Sequence, residues 1–142
     1  MTDRLIYSDI EENRMAPLAK NIKVKLTQQI VEAFEGGTRV FRFDCMTGDN
    51  EHPTDRGMFR VLRKVHPYRS RTYNVQMDYA LFFTHDGKAL HQYHGVVPLS
   101  FVRTARDNIG DWFGSHGCVR LTDADAKALY GWASVGTTVQ VS

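Results

Sequence analysis

Cys118 is the residue of this chain whose neighbours most clearly indicate chemistry. It follows Gly117 directly and lies two residues after His116 and two residues before Arg120. A thiol becomes a nucleophile where basic or cationic groups favour the thiolate, and a glycine lets backbone amides face a developing oxyanion. The segment therefore predicts nucleophilic catalysis by Cys118. The competing interpretation is a loop in which Cys118 is a small buried hydrophobic residue.

A nucleophilic thiol needs a base, and two histidines are candidates from their positions. His116 lies in the same loop, where residues two apart rarely face each other, whereas His94 lies near the end of a predicted strand well upstream. We therefore expect His94 to be the general base, with the carbonyl of Gly95 approaching the imidazole and fixing its orientation. The other histidines are interpreted as surface or satisfied core residues: His52, His66, His85 and His91.

A metal-binding module is a second interpretation of the same side chains. The residues of ligand type are His91, His94, His116 and Cys118. His91 and His94, however, fall on one predicted strand, where a spacing of three places them on opposite faces. We therefore expect neither a metal ion nor a cofactor.

The composition limits the classes of function that remain. The chain has 142 residues, of which 42% are hydrophobic and 24% charged, and this fits one domain with its own core. A net charge of +2 is too small to indicate nucleic-acid binding. No apolar run approaches a membrane span, and no export signal is visible.

Alternating hydrophobicity and turn signals predict the elements that position the candidate residues. Gly36-Gly37 and Asp86-Gly87 predict tight turns, and Thr122 predicts the N-cap of a helix over 122–132. We expect a mainly β fold, an antiparallel sandwich-like arrangement with one or two short helices. The predicted strands are 21–26, 29–34, 38–46, 58–65, 72–84, 88–97 and 136–141.

Two stretches of the sequence closely resemble the signature of a known family, the L,D-transpeptidase catalytic domains (the YkuD-like cysteine enzymes of the bacterial cell wall). They are His94-Gly95 and, after a loop, residues 115–121, which read Ser-His-Gly-Cys-Val-Arg-Leu. Residues 45–48 and 53–61 are similar to two further segments of the family. The resemblance covers about residues 21–142, which we take as the catalytic domain, and residues 1–20 are then an N-terminal extension.

The resemblance implies a β-sandwich-like fold and acyl transfer through a thioester. Cys118 would attack the third residue of a tetrapeptide stem of peptidoglycan and expel D-Ala. The acyl group would then pass to an amine of another stem, or to water in a carboxypeptidase reaction. His94 would move the proton, the Gly95 carbonyl would hold His94, and the amides of Gly117 and Cys118 would form the oxyanion hole.

The remaining site residues also follow from the resemblance. His116 and Ser115 would shape the pocket, and Arg120 would meet a substrate carboxylate. Tyr93 and Trp112 would line the groove. For Arg120, Tyr93 and Trp112, packing within the fold is the alternative role.

Family membership would also set the protein's surroundings. The enzyme would act as a monomer outside the cytoplasm, although no export signal is visible, and carbapenems would acylate it. The span between His94 and Ser115 is longer than in most members, so we expect an enlarged loop over the site. Cys45 stands where a serine is common, and we expect it to be a structural thiol. A non-catalytic wall-binding domain with the same fold remains the alternative.

Overall fold

Two β-sheets and one helix account for most of the residues that the structure describes. The structure is a computed structural model, and it describes residues 18–48, 53–71, 75–93 and 117–142. The strands are β1 (Lys20–Lys25), β2 (Ile30–Glu35), β3 (Thr38–Asp44), β4 (Gly57–Arg60), β5 (Arg63–Val65), β6 (Arg69–Ser70), β7 (Val75–Gln76), β8 (Ala80–Phe82), β9 (Ala89–Gln92), β10 (Val119–Leu121) and β11 (Thr138–Val141). The helix, α1, spans Asp123–Trp132.

The larger sheet has five strands in the order β3-β2-β1-β11-β4. Its first three strands form a meander, and the predicted turn at Gly36-Gly37 joins β2 to β3. Both glycines have positive φ, 57° and 87°, which is the backbone conformation that a two-residue hairpin turn requires. The last strand, β11, pairs with β1 in parallel and with β4 antiparallel.

The smaller sheet has four strands in the order β10-β9-β8-β5. The hairpin between β8 and β9 turns at the predicted Asp86-Gly87, where Gly87 has a φ of 93°. β10 pairs with β9 in parallel, with Val119 opposite Leu90 and Arg120 opposite His91. Strands β6 and β7 form a separate two-stranded ribbon.

One hydrophobic cluster joins the two sheets and the helix. Buried side chains from both sheets meet those of Ala126 and Leu129 on α1. The predicted N-cap is confirmed, because the side chain of Thr122 accepts a hydrogen bond from the amide of Asp125. Among the sheet residues of the cluster are Ile22, Val24, Val31, Val139, Leu81, Leu90, Val119 and Leu121.

Two predicted strands are divided in the structure. The stretch 58–65 becomes β4 and β5, because the chain changes sheets between Val61 and Leu62. The amide of Val61 donates to the carbonyl of Thr137, which directly precedes β11 of the larger sheet. The amide of Leu62 donates to the carbonyl of Phe82 on β8 of the smaller sheet. The stretch 72–84 is interrupted at Tyr79, whose φ of 52° turns the chain between β7 and β8. Residues 72–74 lie outside the described part.

The fold class is confirmed as mainly β and sandwich-like, and one feature of the prediction is corrected. The sheets are mixed rather than antiparallel, because β1 with β11 and β9 with β10 run parallel. Hydrophobic alternation marks the buried face of a strand and carries no information on the direction of its partner. Within the described residues, no helix is long and apolar enough to cross a membrane.

Candidate active site

Cys118 lies on the outer face of the smaller sheet, immediately before β10. Its side chain is 4% exposed and packs in a second hydrophobic cluster with Phe82 and Ala89. The amide of Ala89 donates a hydrogen bond to the sulfur, with N and Sγ 3.4 Å apart. Cys45 belongs to the main core instead, and the two cysteines form no disulfide with each other.

Burial keeps the Cys118 thiol protonated. Removal from water raises the pKa of Cys118 to about 11, against the opposing effects of the Ala89 amide and the charges of Arg120 and Lys88. The sequence predicts a thiolate favoured by cationic neighbours, whereas in the structure desolvation outweighs them. A thiol that is neutral at pH 7 needs a base to accept its proton as it attacks.

Among the described residues, the histidine on the same face as the nucleophile is His91. Leu90 and its partner Val119 both point into the main core, so the residues before and after them point to the opposite face. Ala89 and Cys118 occupy that opposite face together, and alternation returns the His91 side chain to it. His91 follows Ala89 by two residues on β9, so it lies on the side of the sheet that carries the thiol.

The ring of His91 is held in one orientation. His91 is 3% exposed, and its Nδ1 lies 2.6 Å from the carbonyl oxygen of Gln92. A carbonyl only accepts, so Nδ1 carries the proton and Nε2 is the basic nitrogen. A backbone carbonyl thus orients the imidazole in the way that the sequence predicts for Gly95 and His94.

Gln92 is itself fixed by two further contacts. Its amide donates to the carbonyl of Asp78 at 2.9 Å, and its side-chain nitrogen donates to the carboxylate of Asp123 at the start of α1. The carbonyl that bonds His91 is therefore carried by a residue anchored to both a neighbouring loop and the helix. His91 gains a fixed tautomer from this arrangement.

Arg120 and Tyr93 pack against each other. The Arg120 guanidinium carbon lies 5.3 Å from the centre of the Tyr93 ring, and a guanidinium nitrogen donates to the sulfur of Met46. The backbones of Arg120 and Met46 also exchange two hydrogen bonds, at 2.8 and 2.9 Å. These contacts fit the packing role for both side chains, and their contact with substrate stays a prediction.

Five predicted site residues lie outside the described part of the chain. They are His94, Gly95, Trp112, Ser115 and His116. Their assigned roles, and the enlarged loop over the site, stay predictions. Among the residues of the described ranges, no group of three or more His, Cys, Asp or Glu side chains is arranged to hold a metal ion.

Lys88 contacts the segment of the nucleophile, and no sequence pattern indicates this contact. A Cβ atom placed on Gly117 would lie 2.5 Å from Cε of Lys88, so the lysine stem covers that glycine. The ammonium lies 2.6 Å from the carboxylate of Asp55 and 3.4 Å from that of Asp86. In the sequence, Lys88 directly follows the predicted turn at Asp86-Gly87 and belongs to none of the motifs that mark the site.

Thr54 also contacts this segment. It is 4% exposed, and its hydroxyl donates to the carbonyl of Gly117 at 2.9 Å. The same hydroxyl accepts from the amide of Gly48 at 2.8 Å. Its one signal in the sequence is its position within residues 53–61, a segment already noted for its resemblance.

Comparisons with known proteins show which family and which solved structures the chain is similar to. The family model for the L,D-transpeptidase catalytic domain matches residues 19–141. The structure is similar to an L,D-transpeptidase from Stackebrandtia nassauensis, with 31% identity, a TM-score of 0.74, and coverage of 89% of this chain and 57% of that one. No curated protein matches the chain.

Two solved structures with bound ligands show the fold at lower identity. One is the transpeptidase LdtMt1 in complex with imipenem (20% identity, TM-score 0.70, 88% of this chain and 59% of that one). The other is L,D-transpeptidase 3 from Mycobacterium tuberculosis with a faropenem-derived adduct (21% identity, TM-score 0.67, 87% and 60%). The chain spans less than two thirds of the length of each of these solved relatives.

Proposed function

The chain belongs to the L,D-transpeptidase catalytic domain family, and from this premise we propose that it is a cysteine acyltransferase of peptidoglycan. Its donor is a tetrapeptide stem, whose third residue is transferred with release of D-Ala. Its acceptor is an amine of another stem, or water. The observation that carries the proposal is a buried, neutral Cys118 thiol on the same sheet face as a histidine with a fixed tautomer.

The chemistry follows from the neutral thiol. The sulfur of Cys118 attacks the carbonyl carbon of the third stem residue while the histidine Nε2 takes the thiol proton. The tetrahedral oxyanion collapses, the C–N bond to D-Ala breaks, and the imidazolium returns its proton to the leaving amine. In the second half, the histidine deprotonates the acceptor amine or water, the C–S bond breaks, and the sulfur recovers the proton.

We keep His94 as the proposed base, as the resemblance implies, and His91 is a second candidate. The support for His91 is its burial, its place on the Cys118 face of the β9–β10 pair and its Nδ1 bond to a carbonyl. His94, the base expected from the sequence, belongs to the segment outside the described residues. The two assignments predict opposite results in paired variants.

Intact-mass measurement with imipenem, the carbapenem bound in the LdtMt1 structure, tests the proposed acyl transfer. We expect one covalent adduct on the wild type, none on Cys118→Ala, and an unchanged adduct on the control Cys45→Ala. His94→Gln should slow acylation by about 100-fold or more, because general-base catalysis contributes at least that factor. His91→Gln should leave the rate within about threefold, and the reverse pattern would assign the base to His91 instead.

Turnover distinguishes an enzyme from a wall-binding domain of the same fold. We expect release of D-Ala from tetrapeptide stems, with a cross-linked product in the presence of a second stem and a tripeptide in its absence. Binding of muropeptides without turnover, unchanged in Cys118→Ser, would favour the wall-binding alternative. Because peptidoglycan lies outside the cytoplasmic membrane, the proposed activity places the working enzyme there.

A further inference from the structure

The hydroxyl of Thr54 lies in a chain of two hydrogen bonds that ends on the peptide before the nucleophile. It accepts from the amide of Gly48 at 2.8 Å and donates to the carbonyl of Gly117 at 2.9 Å. A threonine hydroxyl donates one proton and accepts others, so the bond from Gly48 directs its proton toward Gly117. At 4% exposure, the hydroxyl has little access to competing water.

The carbonyl of Gly117 and the amide of Cys118 belong to the same peptide plane. In a trans peptide the C=O and N–H groups point in opposite directions, so a bond that fixes the carbonyl also fixes the amide. The Cys118 amide is a predicted donor of the oxyanion hole. By bonding the carbonyl of Gly117, Thr54 thus also fixes the direction of the Cys118 amide.

Gly117 makes such a restraint necessary. Its φ of 92° lies in the region that glycine adopts freely, and a glycine leaves the following peptide plane free to rotate. The stem of Lys88 and the carbonyl oxygen of Pro53 crowd the glycine, at 2.5 Å and 3.2 Å from the position of a Cβ atom. Packing thus limits where Gly117 can move, and the Thr54 hydroxyl gives its peptide a preferred direction.

We propose that Thr54 is a positioning residue, which orients the Cys118 amide toward the oxyanion through the carbonyl of Gly117. The proposal rests on the proposed acyl transfer, because only an acyl reaction places an oxyanion at that amide. Alkylation of the same sulfur by iodoacetamide is a displacement at carbon and develops no oxyanion. The ratio of the two rates therefore reports the orientation of the amide separately from the reactivity of the thiol.

The experiment compares the wild-type chain with Thr54→Val, which removes the hydroxyl at nearly constant shape, and Thr54→Ser, which restores it. Imipenem acylation is followed by intact mass, and iodoacetamide alkylation by peptide mapping at Cys118. The matched control is Thr137→Val, since Thr137 is also buried and its hydroxyl also accepts a backbone amide, from Ser134. Thermal unfolding checks the folding of each variant.

We expect Thr54→Val to slow acylation by about 10- to 100-fold, as misplacement of an oxyanion donor does, with alkylation within about twofold of wild type. Thr54→Ser should recover acylation to within about threefold, and Thr137→Val should change neither rate. Unchanged acylation in Thr54→Val, or an equal loss of both reactions, would overturn the proposal.

Two further outcomes are decisive. If Thr54→Val does not fold, Thr54→Ala takes its place, and unfolding of both would assign Thr54 to stability and overturn the positioning role. A folded wild type that is alkylated at Cys118, yet neither acylated by imipenem nor able to release D-Ala, would overturn the proposed function. The positioning role of Thr54 would then be overturned as well. A negative result for the Thr54 variants alone leaves the proposed function intact.

Discussion

At the scale of single residues, burial and nearby charges shift the pKa of Cys118 in opposite directions. Desolvation raises the pKa of its thiol, while the Ala89 amide and the Arg120 and Lys88 charges lower it, and the pKa of about 11 shows that desolvation wins. The protonated thiol is therefore the resting form from acidic pH to well above pH 8. The reactivity of the thiol then depends on a base that accepts its proton during the attack.

The pH profile of thiol alkylation tests this protonation state. Below a pKa of about 11 the thiolate fraction rises about tenfold for each pH unit. The rate of iodoacetamide modification at Cys118 should therefore climb with that slope between pH 7 and about 10, without a plateau. A wild type that reacts at a constant rate between pH 6 and 8 would instead show a preformed thiolate–imidazolium pair.

The sequence locates the nucleophile from adjacent residues, whereas the base comes from a distant part of the chain. Cys118 is recognisable because its chemical neighbours are adjacent along the chain, from Gly117 to Arg120. Whether a histidine can approach the thiol depends on which face of its strand the histidine occupies. His91 shares the face of Cys118 only because β9 pairs with β10 in one particular register, and no local pattern encodes that register.

At the scale of elements, the parallel pair β9–β10 and the turn before it position the site. The turn depends on Gly117, because its φ of 92° disfavours any side chain. A Cβ atom there would also lie 2.5 Å from Lys88 Cε and 3.2 Å from the Pro53 carbonyl, which is backbone and moves little. Conformation and packing thus both require glycine at this position.

Gly117→Ala tests that requirement against a matched substitution in α1. We expect Gly117→Ala to lower the free energy of unfolding by more than about 1 kcal/mol and to abolish imipenem acylation. Gly131→Ala should be neutral or stabilising by up to about 1 kcal/mol, because α1 gains a better helix former at an open position. Urea unfolding gives both values, and a stable, active Gly117→Ala would refute the structural role of the turn.

The elements themselves were predictable to the extent that their signals are local. The hairpin at Gly36-Gly37 and the helix capped by Thr122 match the structure, because turn and cap chemistry act over a few residues. The division of 58–65 was not predictable, since the strand is continuous in composition. It breaks because Val61 and Leu62 bond to different sheets, which is a long-range effect.

At the scale of the whole molecule, the larger sheet carries an ion-pair triad across three neighbouring strands. The Glu32 carboxylate on β2 lies 2.6 Å from Lys25 of β1 and 2.9 Å from Arg39 of β3. The carboxylate is 7% exposed, whereas the two cations are 39% and 51% exposed. The long-range strand pairing creates this triad, and the sequence of each strand alone shows only alternating charges.

The triad predicts how the stability of the fold depends on pH. Hydrogen bonds from Lys25 and Arg39 lower the pKa of Glu32 from 4.5 to about 2. A carboxyl group whose pKa is lowered in the folded state binds fewer protons there than in the unfolded chain, so its contribution is complete above pH 4.5 and is lost as the pH falls to about 2. Glu32→Gln should therefore lower the melting temperature at pH 7, and its difference from wild type should shrink steadily between pH 4.5 and 2.

The control Asp44→Asn, an exposed position at the end of β3, should follow the wild type throughout. An equal difference between Glu32→Gln and wild type at pH 7 and pH 2 would mean that Glu32 stabilises the sheet by packing rather than by charge.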